Sequence, residues 1–231
     1  MNKIQDIMNV FKESWKNSTQ LVKKLPLLLV IPIVHFLAYY GSQYFVSFIN
    51  LGILSSLLRG LVFATILSSY FYVLFQAMYY KRFKFEYLYS GIKVFLLKSW
   101  VFLLIVNLAF YILMLLGINI LLGKFIFALP FIVFVLFNPM PEIIYISDYD
   151  ERDMFFYNFN FIKRNYLPWY SINVVFLAGL VILVFIGSKI PYVSNIIVLI
   201  YASFVMIFRG QLFKKLHTSN YRKRIFNHFN Q

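Results

Sequence analysis

The sequence predicts an all-α integral membrane protein of about six transmembrane helices. They form three hairpins, each preceded by a cytoplasmic, interfacial amphipathic helix. Three observations predict it. The 231-residue chain is 61% hydrophobic and 13% charged, with a mean hydropathy of +0.75. A soluble domain of this size could not hide that much apolar surface in one core, whereas lipid is the natural solvent for it. Six segments approach the roughly 20 apolar residues needed to cross the hydrocarbon layer. Finally, 19 of the 22 Lys and Arg residues fall in four short stretches between long apolar runs, and only Arg59, Lys124 and Lys189 lie elsewhere.

The first stretch, residues 1–24, has helical apolar spacing. Ile4, Ile7, Met8, Phe11, Trp15 and Val22 share one face, with Lys3, Asp6, Glu13 and Lys16 elsewhere. It has no continuous apolar core or small-residue cleavage site of a signal peptide. The first span is therefore expected to act as an uncleaved insertion signal. The transmembrane region covers 25–213, with spans at Leu25–Val46, Leu54–Tyr80, Trp100–Leu116, Phe125–Ile146, Leu167–Ile186 and Tyr192–Phe213. The second is long enough to require tilt. Residues 214–231 form a basic tail with Lys214, Lys215, His217, Arg222, Lys223 and Arg224.

The expected hairpin turns contain Gly52, then Gly117 and Gly123, then Gly187 with Pro191 following, and carry almost no charge. Nearly all charge lies at the opposite ends. By the positive-inside rule, both termini and the two long connections are expected in the cytoplasm of a cell whose plasma membrane the chain spans.

Amphipathic spacing recurs before each hairpin. Phe85, Leu88, Ile92, Phe95 and Leu96 form a stripe before the third span, and Phe155, Phe159 and Ile162 a weaker one before the fifth. Each stretch ends in basic residues: Lys23 and Lys24, Lys98, then Lys163 and Arg164. Pro26, Trp100 or Pro168-Trp169 then opens the span. This reads as a threefold internal repeat of interfacial helix plus hairpin.

The stretch Phe131–Tyr170 has a proline-bearing fourth span, an amphipathic segment and the entry Lys163-Arg164-Asn165-Tyr166. With Phe11-Lys12-Glu13-Ser14-Trp15 near the N-terminus, it resembles uncharacterised bacterial integral membrane proteins related to the membrane domain of glycerophosphodiester phosphodiesterases. The resemblance covers most of the chain in layout. It implies six spans and no catalytic residues, the phosphodiesterase domain being expected to be absent. The dense acidic run Asp148–Asp153 departs from that pattern.

Several polar positions invite two readings. In the second span Ser56, Gly60, Ala64 and Ser68 recur at four-residue spacing, and Tyr72, Gln76 and Tyr80 continue the face. Small residues at that spacing let helices approach closely in lipid; the sharper reading is that the Gln76 end lines a polar passage. In the fourth span, Asn138-Pro139-Met140-Pro141-Glu142 breaks the helix, since each proline removes a backbone donor and so frees the carbonyls of Val135 and Phe137. Glu142 requires a partner or water, with Lys98, Lys163 and Arg209 as candidate cations. It forms either an ion pair that fixes helix register or part of a substrate or ion site in a broken helix. Asn107 and Asn173 suit interhelical hydrogen bonding. His35 suits a hydrogen-bonded packing role, and Arg59 suits snorkelling to the outer headgroups.

The acidic run lacks the spacing of a calcium loop and better fits the start of a helix. No phosphate-binding glycine loop, nucleophile elbow or zinc-binding His-Glu-x-x-His motif occurs, and the chain has no cysteine. The sequence predicts no enzyme, cofactor or metal. The expected partners are the bilayer and its anionic headgroups, contacted by Lys23, Lys24, Lys163, Arg164, Lys214 and Lys215. A membrane-protein partner or an ATPase is the further class the layout allows, and nucleic acid is not expected. The leading expectation is a non-enzymatic protein that organises lipid or a membrane complex. The competing one is a small permease, or the membrane subunit of an exporter or immunity system, using Asn138–Glu142.

Overall fold

A computed structural model describes residues 3–48, 53–120, 129–187 and 191–219. Every secondary-structure element among them is helical: α1 (Lys3–Lys24), a 3-10 turn (Pro26–Leu29), α2 (Ile31–Phe48), α3 (Ile53–Tyr80), α4 (Glu86–Ile120), α5 (Leu129–Phe137), α6 (Met140–Ile146), α7 (Asp153–Gly187) and α8 (Pro191–Thr218). The expected turn residues Gly52 and Gly123, and the tail residues Arg222, Lys223 and Arg224, lie outside the described residues.

Among the described residues, five segments are long and apolar enough to cross a membrane: Pro26–Val46, Ser55–Tyr80, Glu86–Ile112, Asp153–Ile186 and Asn195–Thr218. The remaining apolar stretch, Phe131–Ile146, is shorter and broken in two. Side chains such as Leu37, Phe45, Val175, Val181 and Phe185 stay exposed, as a lipid-facing surface requires.

The amphipathic stretches differ in how they join their spans. After α1 the chain leaves helical geometry at Leu25 (φ −132°, ψ 69°) and enters the 3-10 turn at Pro26. α7 kinks at Asn165 (φ −126°, ψ 16°), one turn before Pro168, because proline lacks the N–H that would bond the carbonyl of Arg164 and its ring crowds that carbonyl. The second stretch has no such joint. Residues 86–98 belong to α4, one helix of 35 residues and about 50 Å at 1.5 Å per residue. The expectation of a separate second interfacial helix is corrected here: no proline or glycine lies between Gly91 and Trp100 to interrupt it. Gly117 lies inside α4 and not in a turn. The acidic run does precede a helix, with Asp153 in the first turn of α7.

The predominant helix pairing is α3 with α4, across the boundary between the first and second predicted repeats. It follows from the short connection 81–85. The N–H of Lys81 donates to the Ala77 carbonyl at 3.1 Å, closing the left-handed helix cap usually built on glycine. Lys81 holds φ 52°, which costs a side-chain-bearing residue roughly 1–2 kcal/mol.

The interior gathers where α3, α6, α7 and α8 meet. Phe71, Leu74, Ile143, Ile144, Tyr145, Trp169, Phe208 and Phe213 are buried there. α1 closes this end through Val10, Ser14, Ser18 and Leu21, which are buried, against α8. The apolar stripe read from the sequence is not the face that packs most deeply. Ile4, Met8 and Trp15 remain largely exposed, although Phe11 rests its ring on Phe208 and Trp15 touches Phe204 and Phe208. Serines win that seam because small side chains let helix axes approach.

Candidate functional site

The helix break at Asn138-Pro139 creates the most concentrated polar cluster among the described residues. Glu142 stands in the first turn of α6, fully buried. Of its three candidate cations, Arg209 on α8 is the one that reaches it. Arg209 Nε donates to one carboxylate oxygen and an Nη to the other, both at 2.8 Å. The same Nη donates to the backbone carbonyl of Asn138 at 2.5 Å. The guanidinium carbon lies 5.3 Å from the centre of the Trp169 ring, a cation–π contact. Trp169 in turn donates its indole N–H to Asn138 Oδ1 at 2.8 Å. Three helices and one helix break thus meet in a closed network of Asn138, Glu142, Trp169 and Arg209. Among the buried side-chain atoms of this network, Asn138 Nδ2 is the one without a hydrogen-bond partner.

Two carbonyls at the break, one of them freed by Pro139, are also occupied. The Val135 carbonyl accepts from the Tyr170 hydroxyl, and that of Leu136 accepts from Asn158 Nδ2 at 2.7 Å. Both donors lie on α7. An unbonded carbonyl within lipid costs several kcal/mol, so α7 supplies what the prolines remove. Neither Asn158 nor Tyr170 was singled out from sequence. The available signal was their spacing of twelve residues on one helix beside a proline-broken partner.

Gly210, beside Arg209, lets α8 press against this cluster. A Cβ at that position would overlap the Met78 side chain and lie 2.6 Å from the Tyr145 hydroxyl. Tyr145 stacks on Phe71 with ring centres 5.5 Å apart, joining the cluster to α3.

The remaining polar positions are dispersed. Asn173 donates to the Trp169 carbonyl one turn back on its own helix at 2.7 Å. Asn107, exposed, donates to Leu103 at 2.8 Å in the same manner. Neither bridges helices, contrary to the expectation, because the i−4 carbonyl is the nearer acceptor. Gln76 is half-buried on α3. His35 Nδ1 lies 3.0 Å from the Ile31 carbonyl and Nε2 lies 3.1 Å from the Ser69 hydroxyl. The ring is therefore held between α2 and α3.

The small-residue face of α3 packs on α4. Ala64 and Ser68 are fully buried, whereas Ser56 is exposed. A Cβ on Gly60 would lie 3.1 Å from the Trp100 ring. The Ser68 hydroxyl donates to the Gly91 carbonyl at 2.8 Å and accepts from the Phe95 N–H at 3.2 Å. Gly91 completes the seam from the opposite side, since a Cβ there would collide with Tyr72. The small-residue spacing on α3 carries no signal for this glycine, which lies on the partner helix α4.

The lysines divide into two groups. Lys23 is exposed on α1, and Lys163 and Arg164 are exposed on α7. Lys24, Lys214 and Lys215 instead converge with Lys81 on a cavity of about 520 Å³. Lys215 pairs with Glu13 of α1, and Lys214 Nζ sits 4.0 Å from the centre of the Tyr79 ring.

Among the described residues, no group of three or more His, Asp or Glu side chains is placed to hold a metal. No family model, curated protein or solved structure matches the chain.

Proposed function

We propose that this is a non-enzymatic multi-pass protein of the plasma membrane that organises anionic lipid, or a partner complex, at the inner leaflet. In this reading the chain has six spans in three hairpins and both termini are cytoplasmic. The layout resembles that of the six-span family related to the phosphodiesterase membrane domain. Lys23, Lys163 and Arg164 present charge to headgroups, each such cation adding about 1 kcal/mol near an anionic surface.

The observation that carries the reading is the closure of the polar cluster. A path for solute through Asn138–Glu142 needs hydrated, available polar groups at that level. Here Arg209 takes both oxygens of Glu142, and Trp169 takes the oxygen of Asn138. Asn107 and Asn173 are satisfied by their own helices. A small permease or exporter subunit remains the second reading, favoured by the helix break and by the unpartnered Asn138 Nδ2.

Because the chain has no cysteine, a single introduced thiol reports solvent access cleanly. Gln76→Cys and Asn173→Cys, tested separately in sealed vesicles, should both resist a membrane-impermeant maleimide. Labelling of both from the aqueous phase would overturn the scaffold reading in favour of a passage. The same reagent tests orientation: thiols replacing Arg82 or Arg152 should react only from the cytoplasmic side, and those replacing Lys124 or Lys189 only from the opposite one.

A further inference from the structure

Four lysines from three helices surround one cavity at the end of the bundle where α1, α3 and α8 terminate. Lys24 closes α1, Lys81 follows α3, and Lys214 and Lys215 stand in the last turns of α8. Lysines near helix C-termini ordinarily complement the helix dipole. That role is satisfied by lysines pointing anywhere into water and does not require convergence. Here all four line the same space, whose floor is Leu21 and Met78. Its volume of about 520 Å³ falls in the ordinary range of small-molecule sites, roughly 300–1,000 Å³.

The protein neutralises only one of the four charges in this cavity. Glu13 pairs with Lys215. Among the described residues no carboxylate forms an ion pair with Lys24, Lys81 or Lys214. Lys81 and Lys214 are close enough for their charges to repel one another. Lys214 is further held in place by the Tyr79 ring beneath its ammonium. A like-charge group without internal compensation, walled on three sides by helices, favours an anion.

The backbone supplies a second, independent argument. Lys81 occupies the left-handed position of the α3 cap at φ 52°, where glycine or asparagine would sit without strain. Strained backbone positions concentrate at ligand clamps, where side-chain placement offsets the strain. The strained residue here is one of the four that line the cavity.

We propose that this cavity binds a terminal, doubly charged phosphate group, through Lys24, Lys81 and Lys214 as the charge-bearing contacts. Two negative charges match three uncompensated ammoniums better than the single charge of a phosphodiester, and the Leu21–Met78 floor suits the first apolar atoms of an attached chain. The group is carried either by a lipid of the phosphatidate type or by free phosphate. The inference rests on the lipid-organising reading only for the first of these sources.

The test uses the full chain. Detergent-purified protein is titrated with inorganic phosphate. In parallel, protein in phosphatidylcholine nanodiscs is compared with protein in discs doped with phosphatidate or with phosphatidylglycerol, and retained lipid is counted by native mass spectrometry. Saturable binding is expected for phosphate, phosphatidate or both, with phosphatidate retained above phosphatidylglycerol. Lys81→Gln and Lys214→Gln should each weaken it about fivefold, the effect of one lysine at an anionic surface. Lys81→Gly separates site from fold: it should preserve or raise Tm by relieving the strained cap while weakening binding to the same extent. Phosphate binding without phosphatidate retention supports the site and removes its lipid source, which counts against the lipid-organising reading alone. Absence of saturable binding of both probes overturns the proposal. Binding left unchanged by both Lys81→Gly and Lys214→Gln overturns it as well.

Discussion

Arg209 meets Glu142 fork to fork, with Nε and an Nη each 2.8 Å from a different carboxylate oxygen. The two residues lie 67 positions apart in sequence and tie α8 to the short α6. Bidentate geometry fixes orientation as well as distance, so the pair sets the rotation of α8 against the broken helix. Arg209→Ala or Glu142→Gln leaves one buried group without its partner and should destabilise the detergent-solubilised protein by about 3–5 kcal/mol. Replacing both with methionine should recover most of that loss. Unfolding in denaturant measures both; equal damage from the single and double variants would falsify a structural role for the pair.

The occupied carbonyls of Val135 and Leu136 predict a second, separable effect. Tyr170→Phe removes one donor and Asn158→Ala the other, each leaving a carbonyl unsatisfied in an apolar setting at a cost of about 1–3 kcal/mol. The damage should concentrate at the α5–α6 break, seen as faster amide exchange in residues 138–143 than in α3.

The seam between α3 and α4 makes a graded prediction. Gly91→Ala places a methyl on Tyr72, whereas the Gly60 position meets only the edge of the Trp100 ring at 3.1 Å. Gly91→Ala should therefore lower Tm more than Gly60→Ala. Gly60→Leu and Ala64→Leu should each cost about 1–3 kcal/mol through overpacking. If those two leucine variants unfold like the unsubstituted protein, the seam has been assigned to the wrong face.

Docking of α1 should depend on its serines and not on the exposed Ile4 and Met8 of its apolar stripe. A Glu13→Cys, Lys215→Cys pair stands where an ion pair forms and should be bridged by a short bifunctional maleimide, which spans the reach of the two long parent side chains. Adding Ser14→Leu and Ser18→Leu should abolish the crosslink, because leucine at both positions prevents close approach to α8. Ile4→Ser with Met8→Ser should leave it intact, since both parent side chains are exposed.

The helical membrane class was readable because long apolar runs and clustered charge are both local in sequence. The disruption at Asn138-Pro139 was readable for the same reason: a proline acts on its own turn. What filled the freed carbonyls was not, because Asn158 and Tyr170 are reached only once α7 folds back along α5. The amphipathic stripe of α1 misled for a related reason. Apolar periodicity reports which face avoids water, but in a membrane both lipid and protein satisfy that demand. Packing is then decided by size, and Ser14 and Ser18 are small. Lys81 illustrates the opposite limit: the residue names a charge, and only the backbone reveals its unusual conformation.

The unbroken run of α4 gives this protein an uneven mechanical response. α1 and α7 carry bends between surface segment and span, so either half can pivot while the other stays still. α4 has no such joint and runs as one continuous helix from Glu86 to Ile120. When the bilayer thins, a rod must lean, and its leaning swings the segment bearing Lys93 and Lys98 across the surface. Since α3 is clamped to it through Ser68 and Gly91, the two would move as one lever. Bilayer thickness would then act on the α3–α4 pair first and reach the rest of the bundle through it.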